Sequence, residues 1–127
     1  MALTHQQIAE AFSRHDFGAT YGYLAGGLIW NLVGGRQLVG RDSVIAECES
    51  SAEYLATVST RFVKFRLLSG DDWVVIDSTA IYESPDEGLS TVASCDIFRF
   101  SAGMIVEITS YNIALSQPLT PESDSSQ

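Results

Sequence analysis

Basic residues are scarce in this chain of 127 residues, which has seven of them against sixteen acidic residues, and Lys64 is its only lysine. The resulting net charge of −9 repels the phosphates of nucleic acids and the headgroups of anionic membranes. We therefore expect neither a nucleic acid nor a membrane among the partners of this protein. Charged residues of both signs make up only 18% of the chain, against about 25% in typical soluble domains. This shortage predicts that a second copy covers part of the surface.

Cysteine and histidine are also scarce, with two of each. Cys48 and Cys95 are too few for a disulfide framework and lack the spacing of a metal or redox motif. His5 and His15 stand ten residues apart without neighbouring ligands, so we predict no metal and no other cofactor. The chain also lacks an apolar run of about 18 residues and a signal-like N-terminus, which favours a cytoplasmic protein.

The N-terminal part carries helical signals. Thr4 is a suitable N-cap, and apolar residues follow it at helical spacing as far as His15. Gly18 can end this helix in the left-handed conformation, and a second short helix is predicted over residues 19–24.

One strand and a third helix follow. The glycine pair at residues 26–27 is predicted to interrupt regular secondary structure before a short strand over residues 28–33. Asp42 is a good N-cap for a helix over residues 43–57, with apolar side chains on one face.

From residue 60 onward the hydrophobic period is two, as in half-buried strands. Four strands are predicted, over residues 61–68, 73–84, 89–100 and 104–115. Short turns of hairpin type connect them, so neighbouring strands should run antiparallel. Residues 116–127 are polar and are expected to form a flexible C-terminal tail after a single domain over residues 1–115.

Helices gathered early and strands gathered late predict an α+β domain. Three N-terminal helices should pack on one face of a curved, mainly antiparallel sheet, which wraps them as a cone-shaped roll and leaves a cavity between the layers. The outer face of the sheet should be partly apolar, and a homodimer through that face would cover it.

Three segments carry a resemblance to a known superfamily. They are His15-Asp16-Phe17-Gly18 at the end of the first helix; Trp30-Asn31, followed nine residues later by Gly40-Arg41-Asp42-Ser43-Val44; and Cys95-Asp96-Ile97-Phe98-Arg99-Phe100 with a Gly103 turn and Ile105-Val106-Glu107-Ile108-Thr109-Ser110-Tyr111. Their order and spacing, over about residues 4–115, resemble the nuclear transport factor 2-like superfamily, especially its SnoaL-like and ketosteroid isomerase-like members. The resemblance implies the cystatin-like cone fold but no single function, since this superfamily includes several kinds of enzyme as well as non-catalytic proteins.

The ketosteroid isomerase pattern has a general base late in the first strand and a protonated carboxylate on the third long strand that helps form an oxyanion hole. The resemblance puts Asn31 at the base position and Asp96 at the oxyanion position. An amide cannot accept a proton at neutral pH, so Asn31 is predicted to hydrogen-bond a ligand or water rather than act as the base. The region of the helix-one tyrosine holds Ala11 and Phe12, which have no proton to donate.

The other enzyme patterns are also incomplete. The epoxide hydrolase pattern needs charged residues where this chain has Ser78 and Ala80, and an Asp where it has Ser110. The SnoaL-type cyclases rely on an acid near the same Ser110 position. Whether the protein is an enzyme therefore stays open.

Strand alternation predicts which side chains face the cavity. Asp96 is the leading candidate, because a lone carboxylate among apolar neighbours should have a raised pKa and serve as a general acid or base. Its alternative role is structural, with its oxygens held by neighbouring donors. The predicted catalytic residues are Asp96, Asn31 and His15, and the predicted ligand-binding residues are Tyr54, Ser78, Phe98, Ile108, Ser110 and Asn112.

Two functions are compatible with this pattern. The first is an enzyme of isomerase, cyclase or hydratase type that uses Asp96 on a small, largely apolar molecule. The second is a non-catalytic module of the same fold that binds a ligand or only dimerises.

Overall fold

The computed structural model describes residues 2–115, so the predicted tail at residues 116–127 lies outside the described residues. Three helical elements precede most of the sheet: α1 (His5–Ser13), a 3₁₀ helix (Phe17–Tyr23) and α2 (Arg41–Leu55). The strands are β1 (Leu24–Leu32), β2 (Gln37–Val39), β3 (Ser59–Gly70), β4 (Trp73–Ser84), β5 (Gly88–Ser101) and β6 (Met104–Leu115).

The strands form one six-stranded sheet in the order β2-β1-β6-β5-β4-β3. The long strands β3 to β6 pair antiparallel through short turns, and β1 runs parallel to β6. The predicted α+β fold, with helices on a curved and mainly antiparallel sheet, is confirmed.

Helix α1 begins at a capping box, as the choice of Thr4 as N-cap predicts. Gln7 donates its backbone N–H to Thr4 Oγ1 over 3.1 Å, and Thr4 donates its own to Gln7 Oε1 over 2.9 Å. One face of the helix enters the core through Ile8 and Phe12.

The end of α1 differs from the prediction, because the left-handed residue is His15 (φ 73°) rather than Gly18. The His15 N–H bonds the Phe12 carbonyl over 3.0 Å, and the Asp16 N–H bonds the Ala11 carbonyl over 2.8 Å. These two bonds form a Schellman motif, which satisfies the last carbonyls of α1 and stops the helix three residues earlier than Gly18 would. A histidine in the left-handed conformation is uncommon. Here this conformation directs the imidazole of His15 into the space between the helices and the sheet.

Strand β1 begins at Leu24, four residues before the predicted start. The glycines at residues 26–27 do not break it; its pairing with β6 shifts register between Leu24 and Ile29 instead. Glycines without side chains tolerate such an irregularity inside a strand.

Helix α2 also begins earlier than predicted, and Asp42 is not its N-cap. The N-cap is Gly40 at φ 96°, without a side-chain hydrogen bond, and Asp42 lies in the first turn. Arg41 instead ties the helix start to the 3₁₀ helix by donating to the Tyr21 carbonyl over 3.2 and 3.3 Å.

The core lies between α1, which packs against β3, β4 and β5, and the inner face of the sheet. Its largest fully buried side chains include Ile8, Leu28, Phe98, Phe100 and Ile108. Helix α2 buries only Val44 and Cys48 completely, so a space remains between this helix and the sheet. No helix within residues 2–115 is both long and apolar enough to cross a membrane.

Candidate functional site

A cavity of about 450 Å³ lies between the helices and the inner face of the sheet. This volume is within the range of about 300–1,000 Å³ that is usual for small-molecule sites. Its apolar lining residues are Phe12, Phe17, Trp30, Leu32, Leu55, Phe62, Ala80 and Val92. Its polar lining residues are Ser13, His15, Glu47, Ser50, Ser51, Tyr54, Ser78, Tyr82, Ser94, Asp96, Ser110 and Asn112. The lining is therefore more polar than the sequence led us to expect.

Two serine hydroxyls hold the carboxylate of Asp96 in the cavity wall. Ser13 donates to Oδ2 and Ser110 to Oδ1, each over 2.7 Å. The indole Nε1 of Trp30 donates to Ser110 Oγ over 2.9 Å, which leaves the Ser110 hydroxyl proton for Asp96. This chain of hydrogen bonds joins α1, β1, β5 and β6 at one carboxylate.

Burial raises the pKa of Asp96 above the ordinary value for aspartic acid, because the charged form loses its hydration. The hydrogen bonds from Ser110 and Ser13 oppose this shift, since both favour the carboxylate. The net direction is upward, so the proton affinity of this group is moved toward neutral pH.

His15 and Tyr82 lie on the same side of the cavity. The His15 ring lies 5.7 Å from the ring of Phe62 and 6.2 Å from that of Tyr82, between ring centres. Burial lowers the pKa of His15, so its imidazole is neutral at pH 7 and one ring nitrogen can accept a proton. Burial, and then the negative charge of Asp96, raise the pKa of Tyr82, which therefore keeps its phenolic proton.

Polar groups from α2 and β6 line another part of the cavity. Glu47 on α2 forms an ion pair with Arg36 from the β1–β2 turn. Ser94 donates to Asn112 Oδ1 over 2.7 Å, which leaves the amide protons of Asn112 available to a ligand. Tyr54 lines this side with about half of its surface exposed.

Of the residues that the sequence predicted for the site, the structure brings six to the cavity. They are His15, Tyr54, Ser78, Asp96, Ser110 and Asn112. Phe98 and Ile108 are not part of the lining, which corrects their predicted contact with a ligand. Both are completely buried in the core, where the Phe98 ring packs edge-on against Phe12 at 5.6 Å.

Asn31 is also corrected, because its side chain lies on the outer side of the sheet. Its Oδ1 accepts from Gln37 over 2.6 Å, and its Nδ2 donates to Glu107 Oε2 over 3.5 Å. Its neighbour Trp30 faces the cavity instead. Placing Asn31 inward by analogy with the ketosteroid isomerase base reversed the faces of β1, since a shift of one residue exchanges the two sides of a strand. The alternation of large apolar residues at Leu28, Trp30 and Leu32 was the signal that favoured the observed orientation.

Sequence reasoning also missed Ser13 and the polar face of α2. Ser13 directly follows the core residue Phe12, and only its bond to Asp96, 83 residues away, distinguishes it from an ordinary helix-end serine. Glu47, Ser50 and Ser51 follow at helical spacing on α2, a pattern equally typical of a solvated face.

The site offers hydroxyl, carboxyl, imidazole and amide groups. Over residues 2–115, no three His, Cys, Asp or Glu side chains lie close enough together to hold a metal ion. The chemistry these side chains can perform themselves is hydrogen bonding and proton transfer, with Asp96, whose pKa burial raises, and His15, whose pKa burial lowers, as the candidate proton carriers.

Comparison with known proteins gives a consistent family. The model of the SnoaL-like domain matches residues 5–108 of this chain. No curated protein matches the sequence.

Several solved structures share the fold. A nuclear transport factor 2-like protein of unknown function from Cytophaga hutchinsonii is 28% identical, with a TM-score of 0.77 over 86% of this chain and 96% of that one. A proposed polyketide cyclase from Xanthomonas campestris is 19% identical, with a TM-score of 0.64 over 82% and 83% of the two chains. An LEH-like epoxide hydrolase from M. tuberculosis is 18% identical, with a TM-score of 0.66 over 85% and 81%. The last two identities are low enough that they establish the shared fold alone.

Proposed function

The chain belongs to the family of SnoaL-like domains, and from this premise we propose that it binds a small, largely apolar molecule in its cavity, where Asp96 exchanges a proton with the polar end of that molecule. The observation that carries the proposal is the Asp96 carboxylate in the cavity wall, hydrogen-bonded by Ser13 and Ser110 and shifted upward in pKa by burial. A raised pKa brings the proton affinity of a carboxyl group closer to neutral pH, which favours its use as a general acid or base.

Two neighbouring groups assist this role. The neutral imidazole of His15 is a second proton acceptor in the cavity, and it can accept or return a proton at a ligand atom other than the one that meets Asp96. Trp30 is a positioning residue, because it orients the Ser110 hydroxyl that in turn holds Asp96. Isomerisation, cyclisation and hydration all require such positioned proton transfers, so the reaction belongs to one of these types.

The relatives support the choice of compounds for a first screen. Polycyclic ketones are suggested by the proposed polyketide cyclase from Xanthomonas campestris, and epoxides by the epoxide hydrolase from M. tuberculosis. The resemblance puts Ser78, Ala80 and Ser110 at the charged positions of the epoxide hydrolase pattern, and Ser110 near the acid of the cyclase pattern, so neither set of catalytic residues is expected here. Any chemistry in this cavity therefore depends on a different arrangement, with Asp96 as its centre.

A non-catalytic pocket is the second candidate, and one observation favours it. Both oxygens of Asp96 already accept a hydrogen bond from a buried serine, as expected for a carboxylate that stabilises the fold. In that case the cavity still binds its ligand, but no bond changes in it.

The substitution Asp96→Asn tests the proposal, because it keeps the shape of the side chain and removes its proton chemistry. Compounds that raise the melting temperature of the wild type are first identified by thermal shift and assayed for conversion. We expect Asp96→Asn to abolish conversion and to weaken binding about tenfold, the scale of one hydrogen bond to a charged group. Asp86→Asn, the same change in the exposed β4–β5 turn, is the control and should alter neither quantity. Full turnover by Asp96→Asn would refute the catalytic role, and binding without any conversion by the wild type would favour the non-catalytic candidate.

We also infer that the protein is a homodimer through the outer face of the sheet. Large apolar side chains are exposed on that face, namely Leu68, Trp73, Leu89, Tyr111 and Ile113. Strand pairing puts Arg61, Lys64, Arg66 and Arg99 on the same face, more than half of all the basic residues in the chain. Asp77 and Glu107 form ion pairs with three of these cations, so the charge of this face is nearly balanced. Two copies with a charge of −9 each would repel one another less through this face than through a surface that carries only acids.

A further inference from the structure

When Asp96 is ionised, the cavity carries one negative charge that no cation among the described lining residues balances. Asp96 faces it with hydroxyl partners only, and the other acid in the lining, Glu47, is neutralised by Arg36. None of the described residues that line the cavity is an arginine or a lysine. His15 adds no positive charge at pH 7, because burial keeps its imidazole neutral.

The cation next to Ser13 in the chain is already engaged. Arg14 follows Ser13 in the chain, but its guanidinium donates to Glu10 over 3.0 Å and lies 3.8 Å above the ring centre of Phe65. The same guanidinium lies 5.5 Å from the ring centre of Phe62, but Arg14 is not part of the cavity lining and its charge is paired with that of Glu10.

The hydrogen bonds of Asp96 restrict what a ligand can offer to it. A carboxylate oxygen has two lone pairs, and each oxygen of Asp96 uses one of them for a serine hydroxyl. While Asp96 is ionised, the pairs that remain accept hydrogen bonds, so the group that meets the carboxylate has to be a donor. A ligand carboxylate or phosphate would face a like charge in an enclosed space without a cation to offset it.

Aromatic rings surround the same space. Phe12, Phe17, Trp30, Phe62 and Tyr82 all line the cavity. The face of an aromatic ring carries negative electrostatic potential and attracts a cation that lies over it. Rings and carboxylate thus favour the same kind of ligand, which is positively charged at one end and apolar in its body.

We propose that the ligand of this cavity is a small protonated amine, with its ammonium group donating to Asp96 and its apolar body against the aromatic rings. The proposal rests on the proposed function, since it names the class of molecule that the same site takes. The net charge of −9 acts in the same direction at long range, because it raises the concentration of cations near the protein and lowers that of anions.

The experiment compares probes that differ only in their polar group. Adamantyl, phenethyl and naphthylmethyl skeletons are each used as the amine, the alcohol and the carboxylate, and affinity for the full chain is measured by calorimetry at neutral pH. On the skeletons that bind, we expect the amine to bind about tenfold more tightly than the alcohol, as for a charge-assisted hydrogen bond, and the carboxylate to bind more weakly than both. This comparison needs only the wild type, so it does not depend on how well any variant folds.

Two variants then assign the preference to Asp96. Asp96→Asn should lower the affinity for the amine to that for the alcohol, whereas the exposed control Asp86→Asn should keep the full preference. Alcohols that bind as tightly as the amines, carboxylates that bind best, or an amine preference that survives Asp96→Asn would each overturn the assignment of an amine.

The result also separates this inference from the proposal on which it rests. Alcohols or ketones that bind in a manner dependent on Asp96, without preference for amines, would overturn the amine and leave the proposed pocket function in place. A cavity that binds no compound of this panel or of the ketone and epoxide screen would overturn both.

Discussion

Replacing the two serines that hold Asp96 tests the geometry of the site directly. Ser13→Ala and Ser110→Ala each delete a hydroxyl that donates to Asp96 over 2.7 Å. The two serines are only 5% and 1% exposed, so water has little access to take the place of either hydroxyl. A hydrogen bond to a charged group contributes about 1.5–3 kcal/mol to the free energy of unfolding, and we expect losses in this range at neutral pH.

Ser110→Ala should cost more than Ser13→Ala, because Ser110 also accepts the indole proton of Trp30 over 2.9 Å. Leaving that buried donor without an acceptor adds about 1–3 kcal/mol to the loss. The two losses should not be additive in the double variant, since both serines bond the same carboxylate.

The losses should also depend on pH. Both serine bonds favour the ionised form of Asp96 and lower its pKa, so their removal raises the pKa of Asp96 still further. Once Asp96 is protonated, at a pH below the usual Asp value of about 3.9, a serine contributes only the amount of a neutral hydrogen bond, about 0.5–1.5 kcal/mol. The destabilisation of each variant therefore grows as the pH rises through the raised pKa of Asp96.

Urea denaturation at neutral pH and at acid pH measures these differences, provided that the wild type remains folded at both. Ser101→Ala, at the exposed end of β5, is the matched control and should change the free energy of unfolding by less than about 0.5 kcal/mol. An equal loss at the two pH values, or a loss no larger than that of the control, would refute the picture of a carboxylate held by two serine hydroxyls.

Two further predictions concern pH and assembly. Burial raises the pKa of Asp96 in the folded protein, so the wild type should lose stability as the pH rises from the ordinary Asp value through this raised value. Asp96→Asn should remove this dependence of the free energy of unfolding on pH. Denaturation curves at several pH values measure it, and an equal pH dependence in wild type and variant would contradict the prediction. Ile113→Arg, on the exposed outer face of the sheet, should convert a dimer to a monomer in sedimentation experiments, whereas Val33→Arg in the β1–β2 turn should not; a monomeric wild type would refute the proposed interface.

The long strands could be predicted closely because their signals are local. The predicted bounds of residues 73–84 and 104–115 coincide with β4 and β6, where an alternating pattern begins directly after the short turns at residues 71–72 and 102–103. Each of these strands contributes one face to the core. An alternation of apolar and polar residues therefore shows which side chains face the core and which face outward. The family resemblance put Asp96 on the inner face of β5, where the structure has it, and alternation then assigned the faces of its neighbours.

Helix ends and the placement of Asn31 could not be predicted as well, since they depend on contacts beyond the local pattern. His15 adopts a left-handed conformation although Gly18 is nearby and intrinsically better suited to it, because the Schellman bonds close at His15 first. Asn31 was assigned by analogy to a family position, and its partners Gln37 and Glu107 become visible only once β1 is paired with β2 and β6. The partnership of Ser13 with Asp96 likewise needs the packing of α1 on the sheet.

The titration of the Asp96 carboxyl group tests the central claim most directly. Carbon-detected NMR on protein labelled with ¹³C at the aspartate carboxyl follows this group through the acid range, and Asp96→Asn assigns its signal. The cavity geometry predicts a midpoint above about 3.9, the ordinary value for an aspartate side chain. A midpoint at or below that value would mean that the hydrogen bonds of Ser13 and Ser110 outweigh burial, and that Asp96 is a permanently ionised structural carboxylate without a role in proton transfer.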